Sequence, residues 1–157
     1  MKISDVLRPE LTTCNLTGRS KKRILENIAQ IITAQIKGGE ELCNVLFDNF
    51  VSRERLGSTG LGNGVAIPHC RTPGIKKIYG FLAKLTTPVD FDAIDDEPVD
   101  LIFALVVPEE KNDEHLSTLA RIAKIMQDNQ SRQILRECKN DELLFEAILS
   151  LERKQRL

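Results

Sequence analysis

Two neighbouring features of the sequence could do chemistry: a cluster of glycines and the histidine that follows it. His69 comes five residues after the last glycine of the cluster, which comprises Gly57, Gly60, Gly62 and Gly64. Because glycine loses more backbone entropy on folding than any other residue, this density predicts turns with positive φ or a guest that approaches the backbone closely. Phosphate is the commonest such guest, since consecutive backbone N–H groups form anion-binding concavities. On composition alone, a flexible loop before a strand is the alternative.

The glycine cluster does not match the known nucleotide-binding loops. A P-loop that begins at Gly57 requires Lys followed by Ser or Thr where the sequence has Asn63 and Gly64. The dinucleotide pattern G-x-G-x-x-G requires a glycine in place of Val65 or Ile67. Any phosphate at this loop is therefore held by something other than these two motifs.

His69 is the candidate nucleophile. It follows a short apolar segment, Val65–Ile67, that predicts a strand, and Pro68 restricts the backbone just before it. Imidazole is nucleophilic and largely neutral near pH 7, so His69 could accept a phosphoryl group without a separate base. A backbone carbonyl bonded to Nδ1 would leave Nε2 free to attack. The alternative is an ordinary polar residue at the end of a strand.

Two further residues could bind a phosphoryl group on His69. His115 lies near the predicted N-terminus of a helix, where N–H groups and the helix dipole favour an anion. Arg53 ends the predicted helix before the glycines and could bind phosphate through a planar pair of N–H groups. For both, the alternative is a solvated helix end. Acidic side chains surround His115 and would repel phosphate unless they face solvent: Glu109, Glu110, Asp113 and Glu114.

Length and composition predict a single globular domain spanning residues 1–157. The chain is 41% hydrophobic and 29% charged, which is ordinary for a soluble protein. Its formal net charge of -1 gives no overall field for nucleic acid or anionic lipid, so neither is an expected partner. The longest apolar run, Leu101–Val107, is far shorter than the ~18 residues that cross a bilayer. We therefore expect no membrane insertion.

The N-terminus and the cysteines favour an intracellular protein. Residues 1–5 lack the apolar core of a secretory signal. The four cysteines are scattered, with no C-x-x-C pair, and the chain has two histidines, so we expect reduced thiols and no bound metal. These cysteines are Cys14, Cys43, Cys70 and Cys138.

Hydrophobic spacing predicts an α/β fold. Helical spacing runs from Ser20 to Lys37 and again from Glu40 until shortly before Gly57, which predicts a helical hairpin. Short apolar segments predict strands at 65–67, 78–85 and 101–107. After Pro108 the helical spacing returns, with Asp113 and either Asn140 or Asp141 as candidate caps. Helices before and after a run of strands predict a sheet covered by helices.

Residues 53–69, R-E-R-L-G-S-T-G-L-G-N-G-V-A-I-P-H, resemble a family signature. They are similar to the enzyme IIA proteins of the bacterial phosphoenolpyruvate-dependent phosphotransferase system, of the mannitol and fructose type. The likeness is greatest to the nitrogen-related branch. It extends over most of the chain, through residues 3–7, 115–120 and 141–143.

The resemblance implies a role for each candidate residue. The histidine that matches His69 carries the phosphoryl group on Nε2, the one that matches His115 assists, and the arginine that matches Arg53 lies at the active site. The loop beside the phosphate matches three residues here: Ser58, Thr59 and Gly60. The resemblance also implies a mixed β-sheet flanked by helices on both sides, a cytoplasmic location, no cofactor and no metal.

The resemblance further implies partners. The donor is a small histidine-phosphorylated carrier protein, charged from phosphoenolpyruvate by an enzyme I. Exchange of one phosphohistidine for another is nearly balanced in energy, so positioning is the main task and neither ATP nor magnesium is needed. The nitrogen-related branch regulates target proteins such as kinases or transporters. The alternatives are a sugar-specific enzyme IIA that passes phosphate to an enzyme IIB, and a binding module that is never phosphorylated.

Overall fold

The computed structural model describes residues 1–110 and 114–155. A mixed six-stranded sheet is flanked by helices on both sides, which confirms the predicted α/β class. The helices are α1 Ile3–Val6, α2 Lys21–Ile36, α3 Gly39–Arg55, α4 Glu114–Gln127, α5 Asn129–Glu137 and α6 Asp141–Lys154, with a 3₁₀ turn at Pro9–Leu11. The strands are β1 Thr12–Leu16, β2 Gly60–Gly62, β3 Val65–Ala66, β4 His69–Thr72, β5 Tyr79–Val89 and β6 Val99–Pro108.

Strand β6 organises the sheet. The strand order is β1-β5-β6-β3-β2, and β4 pairs with β6 beyond the end of β3. Strand β5 runs antiparallel to β6, whereas β3 and β4 run parallel to it. Residues 101–107 are all buried, as expected for a central strand that is covered on both faces. His69 is opposite Leu105 in this register, so the candidate nucleophile starts a strand that pairs directly with the central strand β6.

The predicted helical hairpin is confirmed. The side chain of Ser20 caps α2 by accepting the N–H of Arg23. The helix ends at Ile36, and its C-cap Lys37 adopts a left-handed conformation with φ 57°, one residue before the predicted glycine stop. Helix α3 packs against both α2 and β4. Arg53, in the last turn of α3, therefore lies near β4, the strand that begins with His69.

The C-terminal helices pack around the other edge of the sheet. Helix α6 contacts β1, and Asn140 caps it by accepting the N–H of Leu143, which decides between the two candidate caps. The candidate cap Asp113 lies outside the described residues.

Within the described part of the chain, none of the helices combines the length and the apolar character needed to cross a membrane.

The strand before His69 is shorter than predicted. Strand β3 ends at Ala66, and the chain passes through Ile67 and Pro68 before a separate strand, β4, begins at His69. His69 therefore starts a strand instead of ending one. Its backbone is anchored by pairing with β6 on the far side of the proline.

Candidate functional site

Part of the glycine cluster builds a tight hairpin. Asn63 and Gly64 have φ of 58° and 78° and connect β2 to β3, with Gly62 paired to Val65. Two central residues with positive φ define the hairpin turn for which Asn-Gly is the preferred sequence. This segment is therefore paired backbone and not a flexible loop. The Asn-Gly pair is a signal for this hairpin that the sequence analysis missed.

Gly60 is required by a close approach. A Cβ atom on Gly60 would lie 2.9 Å from the Cβ of Ala93, closer than side-chain atoms approach. Ser58 holds the same two segments together. Its hydroxyl donates to the carbonyl of Phe91 and accepts the Gly60 N–H at 3.0 Å. The loop before β2 is thus bound to the segment that contains Phe91 and Ala93.

Four donors of the three predicted phosphate-binding residues have partners inside the protein. Thr59 donates its N–H and its hydroxyl to the carboxylate of Glu54, at 3.0 and 2.8 Å. The hydroxyl of Ser58 and the N–H of Gly60 are used as described above. In this structure these groups hold the loop in shape, and their contact with phosphate stays a prediction.

The ring of His69 is oriented by its own backbone. Its Nδ1 lies 2.8 Å from the carbonyl oxygen of Ile67. Because a carbonyl can only accept, Nδ1 carries the proton and Nε2 of the neutral ring carries the lone pair. The side chain is half-buried at the start of β4. This is the arrangement that leaves Nε2 as the nucleophilic atom.

Burial favours the neutral form of the His69 ring. Burial, which disfavours the imidazolium, is the main reason that the pKa of His69 lies below its ordinary value of 6.5. The hydrogen bond to Ile67 opposes this shift. Arg53 and His115 lower the pKa further, whereas the charge of Glu54 raises it. Two predicted site residues, Arg53 and His115, therefore lie close enough to His69 to influence it electrostatically.

Arg53 folds back over the end of its own helix. Its Nη1 donates to the carbonyl oxygen of Gly57 at 2.9 Å, and the residue is half-buried. A guanidinium carries several N–H donors in a rigid plane, so one bond to Gly57 fixes its orientation while others remain for an anion. The arginine thus connects the glycine loop to the charge environment of His69.

His115 is buried in the first turn of α4. Its exposed fraction is 8%, so it is not the solvated cap residue of the alternative interpretation. The described acidic neighbours, Glu109 and Glu110, are exposed to solvent. Asp113 lies outside the described residues, and so does the side chain of Glu114. For the two described carboxylates, the predicted repulsion of phosphate is therefore screened by water.

Arg71 is a candidate site residue that the sequence analysis missed. Its Nη2 lies 3.5 Å from Nε2 of His115, and its Nη1 donates to the carbonyl of Glu110 at 3.3 Å. Arg71 follows His69 by two positions in β4, so both side chains leave the same face of the strand. That alternation would have indicated Arg71 if β4 had been predicted.

Among the described residues, no three His, Cys, Asp or Glu side chains gather as they would around a metal.

Comparison with known proteins identifies the class of protein that has this fold and site. The model of the family described as phosphoenolpyruvate-dependent sugar phosphotransferase system, EIIA 2, matches residues 5–151. This chain belongs to that family of phosphotransferase-system enzyme IIA proteins. Structures of mannitol enzyme IIA from Escherichia coli have the same fold, one with a TM-score of 0.71 at 18% identity over 92% of this chain and 97% of the other.

Within the family, the chain is similar to nitrogen regulatory proteins. It is 40% identical to the one from Pseudomonas aeruginosa over 99% of both chains. It is 39% identical to the one from Escherichia coli over 97% of this chain and 92% of the relative. The crystal structure of the nitrogen regulatory protein IIA-Ntr from Neisseria meningitidis matches with a TM-score of 0.83 and 34% identity, covering 93% of this chain and 98% of the other.

Proposed function

We propose that this protein is a histidine phosphocarrier with a regulatory output. His69 accepts a phosphoryl group on Nε2 from a small phosphohistidine carrier protein, and the phosphorylated and free forms bind target proteins differently. The observation that supports this most strongly is the 2.8 Å hydrogen bond from Nδ1 of His69 to Ile67, which places the proton on Nδ1 and leaves the lone pair on Nε2. A phosphoryl group adds about −1.5 to −2 charges, enough to alter a protein interface. A cytoplasmic location belongs to the same proposal.

The proposed transfer needs no cofactor. The Nε2 lone pair of His69 forms a bond to phosphorus while the bond from phosphorus to the carrier's histidine breaks. As positive charge grows on the ring, the carbonyl of Ile67 stabilises the proton on Nδ1. Arg53 binds the phosphoryl oxygens, and His115, with Arg71 beside it, stabilises the group after transfer. Since both sides of the exchange are phosphohistidines, orientation and charge determine the rate.

The regulatory role is favoured over delivery to a sugar transporter by the pattern of similarity. The nitrogen regulatory proteins match at about 40% identity over nearly their whole lengths. The fructose-specific EIIABC component of Bacillus subtilis matches at 24%, and the matched part is 23% of that protein. Regulated targets such as kinases or transporters follow from this similarity as part of the proposal.

Intact-mass measurement tests the proposed function. The protein is incubated with enzyme I, the small carrier protein and phosphoenolpyruvate. We expect a mass increase of one phosphoryl unit that is lost in acid and kept in base, as a phosphoramidate requires. No mass increase would support the binding-module alternative, and an acid-stable label would place the phosphate on another type of side chain.

An apolar patch next to the site is suited to the carrier protein. Three large apolar side chains beside the glycine loop are exposed to solvent, and we call them the rim patch. Their exposed fractions are 85% for Leu56, 41% for Leu61 and 91% for Ile94. Leu56 precedes Gly57, which Arg53 contacts, and Ile94 follows Ala93, which packs against Gly60. We expect a donor that brings its phosphohistidine to His69 to contact this patch. Mannitol enzyme IIA of Escherichia coli has itself been solved in complex with a phosphorylated protein, enzyme IIB.

Charged substitutions in the rim patch should weaken the encounter with the carrier. We expect Leu56→Glu and Ile94→Glu each to raise the KM for the phosphorylated carrier about tenfold, the effect of losing about 1.4 kcal/mol at an interface. The value of kcat should stay near that of the wild type, since neither side chain belongs to the proposed transfer machinery. Leu143→Glu is the matched control, because Leu143 is 51% exposed on α6, by the opposite edge of the sheet. A KM equal to that of the control would exclude the patch as the docking surface.

His115 should assist and should not be the acceptor. We expect His115→Ala to be labelled still, but with uptake about tenfold slower or a phosphohistidine that hydrolyses about tenfold faster. This is the effect of losing one hydrogen bond to a charged group worth about 1.5 kcal/mol. The measurement compares uptake rate and hydrolysis half-life with the wild type. Equal values for both would show that His115 takes no part in handling phosphate.

A further inference from the structure

Glu54 is a buried carboxylate next to the site that the proposed transfer does not use. Its side chain is 6% exposed in the last turn of α3, beside Arg53. Burying a carboxylate is costly unless it is bonded and paired with a cation. Glu54 satisfies both conditions, because its two oxygens accept three hydrogen bonds from Thr59 and Lys21 lies 3.5 Å away.

A continuous chain of contacts connects Glu54 to the ring of His69. Glu54 accepts the N–H of Thr59 at 3.0 Å. The carbonyl of Thr59 accepts the N–H of Ile67 at 3.0 Å, and the carbonyl of Ile67 accepts the Nδ1–H of His69 at 2.8 Å. The position of the Ile67 carbonyl, and with it the direction of Nε2, therefore depends on Thr59. Thr59 in turn is held by Glu54.

Lys21 anchors the other side of this arrangement. Its Nζ lies 3.5 Å from the Glu54 carboxylate and donates to the carbonyl of Phe91 at 3.3 Å. The same carbonyl accepts the hydroxyl of Ser58. The ammonium therefore offsets the buried charge of Glu54 and ties it to the segment on which the glycine loop rests.

We propose that Glu54 is a positioning residue of the phosphohistidine site, which aims Nε2 of His69 through Thr59 and Ile67 and balances the charge of Arg53. This role rests on the proposed function. Glu54 does not touch the phosphoryl group, since its oxygens face Thr59 and Lys21. It fixes the loop and supplies one negative charge close to His69.

The charge of Glu54 gives the proposal a measurable signature. The charged and titratable groups that act on His69 are Arg53 and Glu54 from α3 and His115 from α4. Among these, the charge of Glu54 raises the pKa of His69, whereas the other two lower it. Removing the negative charge should therefore move the pKa of His69 further below its ordinary value. Exposure of the ring to water through looser packing would instead raise the pKa, since burial is what lowers it most.

The test is Glu54→Gln, with Glu26→Gln as its matched control. Gln is close in shape to Glu but loses the charge and one accepting oxygen. We expect phosphoryl uptake to fall about tenfold to a hundredfold, mainly through kcat, as for a misplacement of the reacting atom by about 1 Å. The imidazole NMR titration of His69 should shift to lower pH. Glu26, on the surface of α2, should show neither effect.

Each outcome of this experiment decides one point. Wild-type kcat and an unchanged titration of His69 in Glu54→Gln would overturn the positioning role while leaving the proposed function intact. Absence of label on His69 in the wild type would overturn the proposed function itself. If Glu54→Gln does not fold, Thr59→Val replaces it, since it removes one hydrogen bond to Glu54 and leaves the carboxylate. Slower uptake by that variant, through kcat, then supports the role, and wild-type uptake overturns it.

Discussion

The His69→Ala variant should take up no phosphoryl group from the phosphorylated carrier, a loss of at least about a thousandfold. Alanine has no nucleophile, and the remaining histidine, His115, has its Nε2 turned toward a guanidinium nitrogen of Arg71. Covalent transfer requires an activated nucleophile, and charge stabilisation by the rest of the site cannot replace it. Intact mass after incubation with the complete phosphoryl donor system measures the uptake.

A second substitution separates lost chemistry from lost structure. His69→Gln keeps a side chain of similar length that can donate to the carbonyl of Ile67, but it has no nitrogen lone pair for attack. Both variants should unfold at temperatures close to that of the wild type, and neither should be labelled. Normal labelling of a folded His69→Ala protein would assign the phosphate to another residue and remove the basis of the proposed mechanism.

Elements with strong local signals were predicted well. Helix α2 starts and ends within one residue of the predicted limits, because Ser20 is a good N-cap and the apolar spacing is continuous. Strand β6 was predicted from its unbroken apolar run. Strands β1 and β4 were missed, since their sequences, Thr-Thr-Cys-Asn-Leu and His-Cys-Arg-Thr, are largely polar. Both are strands because they pair with long buried neighbours, and such pairing is not visible locally.

In the candidate site, too, features with a local sequence signal could be predicted, and features that depend on tertiary contacts could not. Residue chemistry and family resemblance predict His69, Arg53 and His115 as site residues, and the structure places Arg53 and His115 within electrostatic reach of His69. The partners of Ser58 and Thr59 could not be predicted. They depend on where the Phe91 carbonyl and the Glu54 carboxylate lie once the sheet and α3 have formed. The sequence thus supplies the candidate reactive groups, whose roles stay predictions, but not the buried groups that orient the loop beside them.

Arg53→Lys should slow phosphoryl uptake by about tenfold to a thousandfold, the range seen when one preorganised donor to a developing charge is removed. Lysine keeps the positive charge but not the planar fork that binds the Gly57 carbonyl with one nitrogen and phosphoryl oxygens with others. An interaction that strengthens as the phosphoryl group transfers acts on kcat more than on KM. Single-turnover kinetics over a range of phosphorylated carrier concentrations measure the maximal transfer rate and the half-saturating concentration, which correspond to these two quantities.

Arg55→Lys is the control for this prediction. Arg55 lies in the same last turn of α3 and is exposed, so the change in residue type is identical while the environment differs. We expect Arg55→Lys to transfer at the wild-type rate and both variants to melt like the wild type. If Arg53→Lys also transfers at the wild-type rate, the guanidinium of Arg53 is a solvated helix end bonded to Gly57. The phosphoryl group on His69 would then be stabilised from the side of the site formed by His115 and Arg71.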